Sequence, residues 1–146
     1  MGRAVLLLMI PVNLFLVAWV WLGRIVFGVG GWFFVFFMFT VVPVVFIALL
    51  VTTVLAYTQD GRPRALTPLQ TWSQVLTWLG LFAFGAFMPD FGDTEDSMRS
   101  LLTQAFGYSD DLYNLGFALA AAAGLGAVAA YLVLFCSLIF ARRQPT

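Results

Sequence analysis

The chain has 146 residues, of which 62% are hydrophobic and 10% charged, and its mean hydropathy is +0.99. A soluble domain of this length is about half apolar and a quarter charged, so the composition excludes an ordinary water-soluble protein and predicts the lipid bilayer as a partner. Seven arginines balance seven acids, and the sequence has no basic patch of the kind that binds nucleic acid.

Four apolar runs, each long enough to cross a bilayer as a helix, follow one another at residues 4–22, 32–57, 68–88 and 112–140. None contains an Asp, Glu, Lys, Arg or His, the residues that usually mark ion paths and cofactor sites inside membranes. The pattern predicts an all-α polytopic membrane protein, with a single domain over residues 1–146 built as a four-transmembrane-helix bundle.

The first run, residues 4–22, is too long for the core of an ordinary signal peptide. No Ala-x-Ala site follows it, so we expect it to be a retained anchor. Arg24 follows this run, separated from it by Gly23. We expect it to form a solvent-exposed ion pair with an acid of the loop at residues 89–111, and such a pair contributes only about 0–1 kcal/mol.

The second run, residues 32–57, has a proline, Pro43, near its middle. Proline has no backbone N–H, so the carbonyl of Phe39 lacks its helical partner and we expect a kink there. The closely spaced glycines just before this run, at positions 28, 30 and 31, predict a tight turn between the first two helices.

The third run, residues 68–88, opens with the signature of a capping box. Thr67 precedes a proline at the first helical position, and Gln70 lies three residues after Thr67. Pro89 is expected to end this helix at Met88.

Four polar side chains from three of the runs are expected at or near the middle of the membrane, where each needs a hydrogen-bond partner. This candidate polar cluster consists of Asn13, Thr40, Thr77 and Gln74. We expect Asn13 to donate to the Phe39 carbonyl or to pair with Thr40 or Thr77, as an interhelical clasp worth about 0.6–2 kcal/mol. A polar constriction, or a site for a small neutral ligand, is the alternative.

The loop at residues 89–111 holds six of the seven acids and one arginine, Arg99. Within it, apolar residues recur at the spacing of one helix face, so we predict a short amphipathic helix over about residues 95–106, lying on the outer surface. Thr94 or Asp93 is expected to cap its start, and Gly107 to end it.

The fourth run, residues 112–140, carries small residues at helical spacing, which allow close approach of another helix. Two ridges make up this candidate packing face, the first formed by Gly116, Ala120 and Gly124 and the second by Ala122, Gly126 and Ala130. The smooth surface predicts either a central position in the bundle or a contact with another subunit.

The reactive side chains of common enzymes are missing. The sequence has no His, no Lys and a single cysteine, Cys136, which we expect to be a small packing residue. Imidazole chemistry, a two-thiol relay and a Ser–Lys pair are therefore excluded, and we expect no catalytic residue, no metal site, no cofactor and no enzymatic activity.

The arginines predict the orientation, because positive residues accumulate in cytoplasmic loops. Five lie on the side of the N-terminus if the four runs all cross, and two, Arg24 and Arg99, lie on the other side. The five are Arg3, Arg62, Arg64, Arg142 and Arg143. We therefore expect a multi-pass protein of a bacterial inner membrane with both termini in the cytoplasm.

These features predict a non-catalytic integral membrane protein that serves as an accessory or structural subunit of a larger membrane complex, or associates with itself. One alternative is a homo-oligomeric channel or transporter for a small neutral or weakly polar solute, lined by Asn13, Thr40 and Gln74. Another is a small membrane-active protein, such as a pore former or an immunity factor.

Overall fold

The computed structural model describes residues 1–60, 64–94 and 97–141, and over these residues the chain is all-helical, as predicted. A 3₁₀ segment, Gly23–Phe27, extends the first helix. The α-helices are α1 (Gly2–Leu22), α2 (Trp32–Phe39), α3 (Val41–Tyr57), α4 (Pro68–Phe87), α5 (Leu101–Phe106) and α6 (Asp110–Ala141). The only strand-like pairing within the described ranges is an isolated antiparallel bridge between Asp90 and Arg99.

Within the described residues, two helices are long and apolar enough to cross a membrane, the combined Gly2–Phe27 helix and Asp110–Ala141. The pair α2 and α3 makes a third if it forms one bent span. Helix α4 is uncharged and has 20 residues, but the polar side chains of its first half lower its hydropathy. A helical protein with two candidate spans is therefore established, and the four crossings stay a prediction.

The second predicted span is broken into α2 and α3, which meet at 41°. The break lies at Thr40, whose side-chain hydroxyl donates to the Phe36 carbonyl at 2.7 Å. Pro43 provides the physical reason, because it leaves the Phe39 carbonyl without its helical partner and the chain bends where that bond is missing. The kink expected from Pro43 is thus confirmed, and it separates two helices.

The capping box of α4 is confirmed. The Thr67 hydroxyl accepts from the Gln70 backbone N–H at 3.3 Å, and the Gln70 side-chain oxygen accepts from the Thr67 N–H at 3.0 Å. The helix ends at Phe87, and Met88 is extended before Pro89. This end lies one residue before the predicted one, because the residue preceding a proline avoids helical geometry.

Helix α4 is the centre of the bundle, packing mainly against α6 and then against α1. The close approach of α4 and α6 depends on Gly80. A Cβ added there would lie 2.7 Å from the Ala127 Cβ and 2.9 Å from the Ala123 carbonyl oxygen. Small residues thus bring these two helix backbones together, as expected for helices packed in lipid.

We expect Gly80→Ala to lower the free energy of unfolding by about 1–2 kcal/mol, because overpacking costs more than the roughly 1 kcal/mol gained in helix propensity. Gly126→Ala is the matched control on α6, since a Cβ there would meet nothing within 4 Å. Denaturant unfolding of both variants in detergent micelles measures the difference. Equal stability of the two variants would contradict the close α4–α6 contact.

The loop helix is shorter than predicted. It covers Leu101–Phe106 instead of about residues 95–106, and Ser100, not Thr94 or Asp93, caps its start by accepting from the Thr103 N–H at 3.1 Å. Arg99 explains the difference, because its backbone exchanges two hydrogen bonds with Asp90 and must be extended. The predicted end at Gly107 is confirmed, with φ +91°.

Some predictions concern residues outside the described ranges. These are the first two positions of the predicted loop helix, Glu95 and Asp96, and three of the arginines used for orientation, Arg62, Arg142 and Arg143. The bundle has two ends, the Asp90 end and the Met1 end. The Asp90 end carries the 89–109 loop, and the Met1 end carries the first residues of α1, where Val5, Leu6, Met9, Ala56, Leu66, Leu134 and Leu138 form an apolar core.

Candidate functional site

Asn13 is buried in the middle of α1 and connects three helices. Its amide nitrogen donates to the Thr53 hydroxyl of α3 at 2.9 Å, and its amide oxygen accepts from the Trp78 indole N–H of α4 at 2.7 Å. The Gln74 amide approaches the same oxygen at 3.5 Å. A single amide thus satisfies donors and acceptors from both neighbouring helices, which is the geometry of an interhelical clasp.

The other members of the candidate polar cluster are placed differently. Thr77 is buried, but its hydroxyl donates to the Ser73 carbonyl of its own helix at 2.8 Å. Thr40 likewise bonds within its own segment, at the break before α3. Asn13 therefore pairs with neither threonine, and the expected bond to the Phe39 carbonyl is replaced by the one to Thr53. Of the four predicted residues, the structure joins Asn13 and Gln74.

A buried polar stripe extends along α4 from this cluster toward the Met1 end. Gln70, Thr71, Ser73 and Gln74 are all buried, and the Gln59 amide approaches the Gln70 side-chain oxygen at 3.4 Å. Among the described residues, the Gln74 Oε1 and the Thr71 Oγ1 have no hydrogen-bond partner. Buried polar atoms of this kind are usually satisfied by internal water.

Thr53 and Trp78 were missed in the sequence analysis. A signal for Trp78 was present, because a buried indole N–H usually needs an acceptor and Trp78 lies one turn after Gln74. Thr53 gave no such signal. A threonine inside an apolar helix can bond its own backbone, as Thr53 also does with the Leu49 carbonyl at 2.7 Å.

A second buried polar site lies at the Asp90 end. Arg24 and Asp90 are both 0% exposed, and the Arg24 Nη1 lies 3.5 Å from the Asp90 Oδ2. The guanidinium also stacks 4.3 Å from the centre of the Phe37 ring, and its Nη2 donates to the Phe33 carbonyl at 3.4 Å. A buried pair in aromatic surroundings is held by contacts that water does not weaken.

The Asp90 carboxylate also caps a helix from a distant part of the chain. Its Oδ1 accepts from the backbone N–H of Phe33, in the first turn of α2, at 2.8 Å, and from the Phe91 N–H at 2.9 Å. A carboxylate in this position satisfies one of the orphan N–H groups of α2 and interacts favourably with the helix dipole. Asp90 therefore ties the end of α1, the start of α2 and the loop into one unit.

The predicted Arg24 ion pair exists, but the expectation that it is solvent-exposed is wrong. Arg24 lies within the apolar Gly2–Phe27 helix, whose end continues as a 3₁₀ segment and turns the side chain into the protein. Asp90 reaches it because the loop folds back through the Asp90–Arg99 bridge. An ionisable pair is thus buried at one end of the bundle, although the four apolar runs themselves contain no Asp, Glu, Lys, Arg or His.

The contacts of this pair are incomplete. Within the part of the chain that the structure describes, the Nε and Nη1 atoms of Arg24 and the Oδ2 atom of Asp90 are buried without a hydrogen bond, although Nη1 and Oδ2 form the ion pair. Gly31, just before α2, lets the backbone at the start of α2 lie directly against Asp90 and Phe91. A Cβ at Gly31 would overlap the Phe91 carbonyl oxygen and lie 2.8 Å from the Asp90 Oδ1. The glycine-rich turn predicted from the sequence therefore also positions the start of α2 against Asp90.

The candidate packing face of α6 divides into two surfaces. The first ridge faces inward, with Gly116 and Ala120 buried and Gly124 half-buried against Phe84. The second ridge faces outward, since Ala122 and Gly126 are exposed and Ala130 is half-buried. Central packing is thus found for one ridge, and the other is open to a neighbour.

Cys136 is exposed on the same helix, so it does not pack in the core as expected.

Among residues 1–60, 64–94 and 97–141, no group of three or more Asp, Glu, His or Cys side chains is placed to hold a metal ion. The arrangement of polar groups joins helices to one another.

Comparison with protein-family models found no match, and comparisons with curated proteins and with solved structures found no relative of this chain.

Proposed function

We propose that this chain is a non-catalytic integral membrane protein that crosses the bilayer four times and serves as an accessory subunit of a larger membrane complex. Both termini lie in the cytoplasm, so that the Met1 end faces inward and the Asp90 end outward. The chemistry of the sequence supports this proposal, because the chain offers no imidazole, no lysine and only one thiol.

The observation that carries the proposal is the separation of polar and apolar side chains. Away from the helix ends, the polar side chains of the long helices are buried or half-buried, and most bond a backbone carbonyl or another side chain, as in the clasp around Asn13. Large apolar side chains are exposed on every long helix, for example Leu7, Leu14, Ile47, Leu79, Leu125 and Val128. A surface of this kind is stable in hydrocarbon and unstable in water, which supports immersion of all four helical segments.

Arg24 and Asp90 fit this function as a structural pair. An ionisable residue within a membrane helix is a functional-site hypothesis by default. Here, however, the guanidinium stacks on the Phe37 ring, and Asp90 belongs to the loop and caps α2. These contacts favour a role in holding the outer end together over a role in moving ions.

The second ridge of α6 is the proposed contact with the partner subunit. Around Gly126 there is open space, and a Cβ would meet no atom within 4 Å. An exposed small residue on a long apolar helix permits another helix backbone to approach closely, and such contacts drive helix association in lipid.

The alternative of a homo-oligomeric channel lined by Asn13 and Gln74 is less well supported. Asn13 and Gln74 are 6% and 0% exposed, which disfavours their lining a pore between copies.

Affinity purification from native membranes in a gentle detergent tests this proposal. We expect stoichiometric co-purification with one defined assembly and its loss in Gly126→Ile, because the added side chain keeps the partner helix away. Ala121→Ile is the matched control, since Ala121 is exposed on another face of α6. A lone homo-oligomer that conducts solutes in liposomes would contradict the subunit function, as would equal retention of the assembly by both variants.

A further inference from the structure

Thr71 differs from the other threonines inside α3 and α4. The hydroxyls of Thr52, Thr53 and Thr77 each donate to a backbone carbonyl three or four residues earlier in their own helix. Thr71 is 2% exposed, and among the described residues its Oγ1 has no hydrogen-bond partner at all. A buried helical threonine usually bonds its own backbone, so the Thr71 hydroxyl is available to a partner outside the helix.

A second buried oxygen without a partner lies on the same face of α4. Gln74 is 0% exposed, and its Oε1 has no hydrogen-bond partner within the described ranges. Residues three apart on a helix are neighbours, with Cβ atoms about 5–6 Å apart. A long helical side chain also leans toward the preceding turn, so Gln74 extends toward Thr71. The two oxygens are therefore close to each other, although they do not bond each other directly.

The clasp around Asn13 determines which end of the Gln74 amide needs a partner. The Gln74 nitrogen approaches the Asn13 Oδ1 at 3.5 Å, and the same oxygen accepts from the Trp78 indole. Turning the Gln74 amide over would bring two oxygens together, because an amide oxygen has no proton to donate. The Gln74 Oε1 therefore stays on the side away from the Asn13 oxygen, and it needs a donor that no described residue supplies.

The two oxygens favour a small occupant that can both donate and accept. An amide oxygen only accepts, whereas the Thr71 hydroxyl can donate. A water molecule meets both needs, and two hydrogen bonds of about 2.8 Å each span oxygens up to about 5.6 Å apart. A cation would meet neutral oxygens without a counter-charge, since residues 4–22 and 68–88 contain no acid. An uncompensated buried charge is strongly unfavourable.

We propose that one ordered water molecule is bound beside the clasp, where it donates to the Gln74 Oε1 and accepts from the Thr71 hydroxyl. The water extends the clasp by one helical turn toward the Met1 end, so that a chain of hydrogen bonds runs from Thr71 through Gln74 to Asn13. It also satisfies two buried polar atoms in the half of α4 whose polar side chains lower its hydropathy.

The sign of one change in stability tests the proposal. Thr71→Val keeps the shape of the side chain and removes no hydrogen bond to a described residue. If the hydroxyl holds a water, its loss should lower the Tm of the full chain in micelles by about 2–4 °C. If it does not, the substitution removes an unsatisfied buried group and should raise the Tm. A raised or unchanged Tm would therefore overturn the proposal.

Thr77→Val is the matched control, the same substitution at a buried position of the same helix. The Thr77 hydroxyl bonds the Ser73 carbonyl, and such a bond within one helix contributes little to stability. We expect this variant to change the Tm by about 1 °C or less. An equal fall in the Tm of Thr71→Val and Thr77→Val would overturn the proposal, because the effect would then not depend on an unpartnered hydroxyl.

A double-mutant cycle tests whether the two oxygens share one water. Gln74→Met keeps the length of the side chain and removes its oxygen. Because either substitution alone already weakens the same site, the fall in Tm of the double variant with Thr71→Val should be smaller than the sum of the two single falls. Additive falls would overturn the proposal, since the two side chains would then have no common partner.

Two salts distinguish a water from a cation at this site. Thermal unfolding of the full chain is measured in sodium chloride and in choline chloride of equal ionic strength, and we expect the same Tm in both. A Tm that sodium raises in the unmodified chain but not in Thr71→Val would show that the two oxygens hold a cation, and it would overturn the proposal. These measurements concern the clasp alone, so their outcome leaves the proposed subunit function unaffected.

Discussion

Replacing Asp90 with Ala is expected to lower the free energy of unfolding by about 3–5 kcal/mol, because it leaves the Arg24 guanidinium buried without a counter-charge. The same substitution removes the acceptor of the Phe33 and Phe91 N–H groups. Unfolding of the purified protein by denaturant in micelles measures the effect. Asp93→Ala is the matched control on the same loop, where an exposed aspartate bonds the Trp32 indole and should cost about 1 kcal/mol or less.

A double-mutant cycle separates the charge interaction from these hydrogen bonds. Asp90→Asn keeps an oxygen for the two N–H groups and removes only the charge, so it should cost less than Asp90→Ala. Combined with Arg24→Met, it should cost less than the sum of the two single changes, with a coupling of about 1–3 kcal/mol, because no unpaired charge remains buried. Additive losses, or equal losses for Asp90→Ala and Asp93→Ala, would contradict the buried pair.

Asn13→Leu is expected to lower the free energy of unfolding by about 2–4 kcal/mol. The substitution keeps the size of the side chain but removes the partner of the Trp78 indole and of Gln74, and an unsatisfied buried donor costs about 1–3 kcal/mol. Asn114→Leu is the matched control, the same substitution at an exposed position of α6, and should change stability by no more than about 0.5 kcal/mol.

The clasp also predicts coupling between helices. Trp78→Phe removes the indole N–H, so in a cycle with Asn13→Leu the two losses should overlap by about 0.5 kcal/mol or more. If Asn13→Leu is as harmless as Asn114→Leu, the clasp does not hold the bundle together, and the polar cluster would need another role.

Local features of the fold were predictable because their causes lie within a few residues of one another. The capping box needs only Thr67 and Gln70, and the break in the second span follows from the N–H that Pro43 lacks. The inward ridge at Gly116, Ala120 and Gly124 follows from helical spacing. The loop helix failed at its start because the bridge to Asp90 overrides the helical pattern there.

The candidate site was predictable in part. The contact of Asn13 with neighbouring helices and the pairing of Arg24 with a loop acid were both correct. The partners of Asn13 were not, because a threonine or tryptophan on a neighbouring helix comes into reach only when the rotation of both helices is known. An apolar groove lined by Val44, Phe84 and Val128 was not predictable either, since it depends on how three helices pack against one another.

Composition and periodicity by themselves determined that this protein is helical, that its long helices are apolar and, to within two residues, where α1, α4 and α6 begin and end, because each property depends on the residues of one segment. Only the tertiary structure decided that the charges of Arg24 and Asp90 are enclosed, that one ridge of α6 faces inward and the other outward, and that an apolar groove lies between α3, α4 and α6. Burial depends on which segments meet, and residues far apart in the chain determine it jointly.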